Sequence, residues 1–324
     1  MGSLFEGNET ARNAYSRLLP LEYQNPLYIR VLGQMIIQAP SQEGFTYIVA
    51  SINDCTNADD IVALGELHLN HFVQYFKPES KPSRTPSTHP SQPLFEIIQQ
   101  TITHLLNVAP TDHSRAKKLA LIRDNYRCMF SGAVDDKYLR EVPRFADEVQ
   151  QGNVAVKITQ CCHILPQKIS LRRDTETRRQ EVARIWAILH MYGGIQPHEL
   201  NGTGIHRLSN ILTLEVGLHF CFDNLQIWLE PTGIENQYSI ARREEYYSPE
   251  LPAVVTFATS TQYPLPDPRY LALHAACARI IKLSGAAEYV EKILRDAEEV
   301  KALSEDKSSS QLPCSLLPTE LVTA

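Results

Sequence analysis

A chain of 324 residues is long for one hydrophobic core and short for three, so two lobes or one elaborated domain is the expectation. Its apolar fraction of 43% is that of an ordinary globular protein. No stretch has the length and apolar character of a membrane helix, and the first residues lack the basic-then-apolar order of a secretory signal. The seven cysteines are odd in number and form no C-x-x-C pair, which argues against a disulfide framework or a four-cysteine zinc knot and fits an intracellular, reducing compartment, cytoplasm or nucleus.

The formal net charge is −6, but it is unevenly spread. From Arg115 to Asn210 sixteen basic side chains stand against ten acidic ones, near +6, which leaves the rest of the chain near −12. Two readings stay open: a positive surface facing phosphates, or an ordinary solvated helix face around 172–184.

Residues 1–76 read as a helical region. Tyr28, Val31, Leu32, Met35 and Ile36 recur at helical spacing, as do Ile61, Leu64, Leu67, His71 and Phe72, with Asn57 or Asp59 placed to cap the second run. Residues 77–93 are rich in Pro, Ser and Thr and poor in apolar side chains, the composition of a linker. Helices are expected at 94–106 and 111–124, and strands at 126–130 and 154–159. A charged helix is expected over 174–192, stopped by Gly193-Gly194. The segment 208–223 reads as the next helix, with Asn210 or Ser209 as its N-cap. Short strands follow at 226–229, 238–240 and 254–257, and helices at 268–283 and 286–303. The organisation is thus an α+β core over 94–260, C-terminal helices over 261–304 and a polar, disordered tail over 305–324.

Three short stretches carry the chemistry: Cys128-Met129-Phe130-Ser131-Gly132, then Cys162-His163-Ile164-Leu165-Pro166, then Asn210 through His219 to Asp223. His219 and Asp223, four apart, share a helix face and can grip one ion together. His163 follows a strand and precedes Pro166, so its imidazole is left at a strand end. Cys128 and Cys161 read as small core residues.

These pieces resemble the HNH endonuclease superfamily, in the branch written C-x-x-[ST]-G, A-H-I-x-P and N-x-x-x-L-x-x-x-x-H-x-x-F-D, with its fungal versions looking closest. The resemblance covers roughly 119–231. It implies a ββα-metal core flanked here by N-terminal and C-terminal helical extensions. It also implies His163 as general base, Asn210 holding that imidazole or its loop, and His219 with Asp223 binding one divalent cation (Mg, Mn, Ni or Zn). An imidazole with its ordinary pKa of ~6.5 is largely neutral at cellular pH and able to accept a proton. Cys162 stands where many such sites carry Asp, Glu or His as a further ligand; a thiolate there suits zinc and is a poor partner for magnesium. The resemblance further implies a nucleic-acid partner, DNA rather than RNA, with Arg127, Lys168, Arg207 and His206 as candidate substrate contacts. Two other readings stand beside it: a repurposed enzyme acting on a small molecule, and a non-catalytic interaction protein.

Overall fold

The computed structural model describes residues 5–76, 113–139, 143–152, 154–167, 176–200, 202–243 and 251–289. The expected linker, the helix at 94–106, most of the helix at 286–303, the tail and Lys168 lie outside the described residues.

The N-terminal region is four helices, α1 (Glu9–Leu18), α2 (Pro26–Ile37), α3 (Gln42–Asp54) and α4 (Ala58–His68). Their starts are set by side chains that satisfy the first backbone donors: Asn8 accepts from Ala11, Ser41 from Gly44, and Asn57 and Asp60 close a reciprocal capping box. The expected apolar positions Val31, Leu32, Met35, Ile36, Ile61, Leu64 and Leu67 are all buried.

Helix α5 (His113–Arg123) comes next, followed by β1 (Val134–Asp135), the short helices α6 (Asp136–Leu139) and α7 (Pro143–Gln150), β2 (Val156–Lys157) and β3 (Thr159–His163). The expected strand at 126–130 is a turn instead. Asn125 and Tyr126 both take positive φ, which breaks an extended run, and only Arg127 bridges to Val134. The expected strand at 154–159 is divided. Val156–Lys157 pairs in parallel with β1, Ile158 is exposed, and β3 begins at Thr159 and runs on to include His163. Asp135 anchors that second start by accepting from both the backbone N–H and the hydroxyl of Thr159.

The largest correction concerns 208–223. It is not one helix but a single turn (Leu208–Asn210), a strand β4 (Ile211–Glu215) and a shorter helix α10 (Val216–Asp223). Ile211, Leu212, Thr213 and Leu214 are buried on both faces of the strand, so the run is apolar without alternation. Periodicity alone does not separate such a run from a buried helix. Strand β4 pairs antiparallel with β3, His163 opposite Ile211 and Thr159 opposite Glu215. The hairpin and α10 together form a ββα unit, with the intervening chain inserted between its two strands.

That insert contains α8 (Glu176–Gly193) and α9 (Pro197–Leu200); Gly194, at φ +67°, supplies the left-handed residue after α8. Helix α8 lies hard against α3: a Cβ on Gly44 would sit 2.1 Å from the Tyr192 carbonyl oxygen. After α10 come three antiparallel strands, β5 (Ile227–Pro231), β6 (Gln237–Arg242) and β7 (Val254–Thr256), then α11 (Pro268–Ser284), capped by Asp267. Helix α11 packs on α2 and on β5, and one apolar core runs from Ala11 to Ala287 through Trp186, Leu212 and Phe222.

Candidate active site

The hairpin is covered on both sides, and the pleat decides what each side receives. Gln160 and Cys162 point to the α10 side, with Leu212 and Leu214 beside them across the ladder. Cys161 and His163 point to the α5 side, where Cys161 packs with Ala116, Ala120, Leu208 and Ile211.

On the α10 side three donors converge. The sulfur of Cys162, a ring nitrogen of His219 and a carboxylate oxygen of Asp223 all lie within 4.8 Å of one another. His219 Nε2 is 3.2 Å from Asp223 Oδ2, and the Cys162 thiol donates to Asp223 Oδ1 at 3.6 Å. His219 Nδ1 donates to Gln160 Oε1 at 2.7 Å, which leaves Nε2 as the nitrogen facing the group. Bonds of about 2.0–2.3 Å at tetrahedral angles set neighbouring donors about 3.3–3.6 Å apart, and the two close contacts, 3.2 and 3.6 Å, lie within 0.1 Å of that range. The residues therefore fit a divalent cation with one coordination position left open, and the sulfur favours zinc or nickel over magnesium. Burial and then the Asp223 carboxylate push the Cys162 thiol well up, so it is a protonated donor until a cation replaces that proton.

The floor under α10 comes from α11. His274 stacks on Phe222, centroids 3.7 Å apart and planes within 2°, and its Nε2 donates to the Phe222 carbonyl at 3.1 Å. Burial holds His274 neutral, with its pKa lowered to about 4.

The α5 side gathers three imidazoles. His163 Nε2 is 3.1 Å from His206 Nδ1, and the His113 ring lies 5.6 Å from the His163 ring and 5.7 Å from the His206 ring. Burial, with His206 and His113 adding to it, lowers the His163 pKa to about 3, so the ring is neutral. Asn210 does not touch the imidazole. Its side chain accepts from Leu165 N–H at 2.9 Å and donates to the carbonyls of Leu165 at 3.1 Å and Ile205 at 3.0 Å. It ties the loop leaving β3 to the turn that carries His206.

The Cys128 turn docks on β4, Met129 N–H donating to the Thr213 carbonyl, while the buried Cys128 sulfur accepts from Ser131 and Glu215. Residues 128–230, roughly a third of the chain, match the family model described as HNH endonuclease. This stretch is an HNH domain, flanked by helical regions. No curated protein and no solved structure matches the chain.

Within this HNH domain the expected residues separate by place. Cys162, His219 and Asp223 are together; His163 and His206 are together; Asn210 supports the second pair. Arg127 is occupied by Glu148 and stacks over Phe145. Arg207 lies 3.4 Å from the Tyr270 hydroxyl and 3.9 Å from Glu199. The positive surplus is partly spent inside the fold. Arg184 is buried, and the buried Arg123 donates to the carbonyls of Leu208 at 2.6 Å and Ile211 at 2.8 Å. His113, Gln160 and Gln167 were not singled out from the sequence. Only Gln160 left a signal there: once the strand is extended to His163, it shares the face of Cys162. No helix among the described residues is long and apolar enough to cross a membrane.

Proposed function

We propose that the HNH domain is a divalent-metal-dependent endonuclease that hydrolyses DNA phosphodiester bonds, RNA being the less favoured substrate. The observation that supports this is the meeting of a neutral histidine with a three-donor cation group at one strand end, on the adjacent residues Cys162 and His163. A cation on Cys162, His219 and Asp223 supplies Lewis-acid stabilisation of charge on the phosphate and the leaving oxygen. His163 takes the proton from the attacking water, and Asn210 keeps its loop in place. Gln160 holds His219 in the tautomer that faces the cation. Arg207, part-exposed beside His206, is the better-placed phosphate contact, since Arg127 is already held by Glu148. The buried thiols of the six described cysteines support a reducing compartment, cytoplasm or nucleus.

The test is incubation of the full chain with supercoiled plasmid and Mg²⁺, Mn²⁺, Ni²⁺ or Zn²⁺ in turn. Conversion to nicked or linear DNA that His163→Ala abolishes is the expected result. Absence of conversion with every metal, or equal conversion by His163→Ala, rejects the reading.

A further inference from the structure

The general base of the proposed nuclease has a partner that the third motif does not supply. Asn210 was expected to hold the His163 imidazole or its loop, and it holds the loop alone. The contact to the imidazole is made by His206, Nδ1 to Nε2 at 3.1 Å, with the rings nearly edge to face at 60°. On the far side of His206, its Nε2 is 3.5 Å from the Gln167 amide nitrogen. Asn210 fastens both ends of this line, one hydrogen bond to Ile205 beside His206 and two to Leu165 near Gln167.

An N···N hydrogen bond between two neutral imidazoles has one proton and two possible directions. If His206 donates, the hydrogen of His163 is forced onto Nδ1, and neither of its nitrogens is left to accept. If His163 donates from Nε2, its Nδ1 keeps a lone pair, and no described residue hydrogen bonds to that atom. The second direction leaves the hydrogen of His206 on Nε2, where the Gln167 amide accepts it once its oxygen and nitrogen are exchanged end for end. Amide orientation follows from the network it joins.

We propose that His206 is a positioning residue for the base. It accepts from Nε2–H of His163, Gln167 orders His206 from behind, and Nδ1 of His163 is thereby the atom that receives the proton of water. This rests on the nuclease reading for its purpose, though the hydrogen bond itself can be tested without cleavage. No atom is transferred along the line: His206 fixes ring orientation and tautomer and leaves chemistry to His163.

The experiment has two arms on the full chain. Imidazole ¹⁵N spectra of the metal-free protein should show His163 as the Nε2–H tautomer, and His206→Ala should shift it toward a mixture. In the plasmid assay, with whichever of Mg²⁺, Mn²⁺, Ni²⁺ or Zn²⁺ supports cleavage, His206→Ala should lower kcat roughly 10- to 100-fold, a part of the usual general-base contribution. KM and metal affinity should hold. His206→Asn, which offers an oxygen where Nδ1 stood, should recover most of the loss. An unchanged His163 tautomer in His206→Ala, or an Asn variant as poor as Ala, overturns the proposal. A tautomer shift in a protein that cuts nothing refutes the nuclease reading and leaves the hydrogen bond supported.

Discussion

The two faces of β3 differ in their donors and contacts although their key residues are neighbours in the chain. The α10 face holds a soft, acidic group, Cys162, His219 and Asp223, in which each polar atom points at another. The α5 face gathers three imidazoles, His163, His206 and His113, of which burial holds His163 neutral. The pleat makes this separation inexpensive. Residues 162 and 163 cannot share a face, so in the proposed mechanism the cation group and the base fall on adjacent side chains that do not compete. The faces are separate in their contacts but share a field, since Asp223 and His219 both act electrostatically on His163, so changes on one face should spare the other's contacts.

The largest expected effects come from emptying one face at a time. His163→Ala should lower kcat by about 10²–10⁴-fold while metal affinity stays as it was. His219→Ala or Asp223→Ala should instead lose the cation, and activity with it. A smaller effect should follow from Gln160→Ala. It removes only the acceptor on His219 Nδ1, so affinity should fall about 10–100-fold with kcat at saturating metal little changed.

How much of this was legible in the sequence depends on the range of the contacts involved. His219 and Asp223 were visible because a helical pair four apart is a local fact. His163 was placed correctly at a strand end, and Cys128 and Cys161 as core residues. The strand β4 was not visible, because burial on both faces erased the alternation that marks a strand, and 208–223 therefore read as one helix. Asn210 was consequently taken for a possible helix N-cap, whereas it leads into a strand and fastens two loops. His113 left no trace because it reaches the site from α5, and Gln167, four residues after His163, because the path of the loop leaving β3 has no local pattern. The count of basic residues also misled in part: Arg123 and Arg184 count as charge in the sequence but sit inside the fold.

Asn210→Ala sharpens the comparison further. Three buried backbone groups, at Leu165 and Ile205, would lose their partner, and the metal-free chain should be destabilised by about 2–4 kcal/mol in urea. The α5 face should loosen first, with kcat falling and metal affinity retained.

The smallest effect is a pH dependence under the α10 face. His274, stacked on Phe222, has its pKa lowered to about 4 by burial, against ~6.5 in the unfolded chain. The unfolded state then binds more protons between those values, so its contribution to stability is full above pH ~6.5 and is lost as pH falls toward 4. The slope from this group is at most ~1.4 kcal/mol per pH unit. Urea unfolding of the metal-free protein at pH 7 and pH 5 should show the loss, and His274→Gln should reduce it by this group's share, His68, His71 and His163 supplying the rest.

The central claim, that one face holds the cation and the other the base, is tested most directly by calorimetric titration of Zn²⁺ into the parent chain, His163→Ala and His219→Ala. One site of unchanged affinity in His163→Ala and no such site in His219→Ala is the expected result. Loss of the site in His163→Ala, or its survival in His219→Ala, would contradict it.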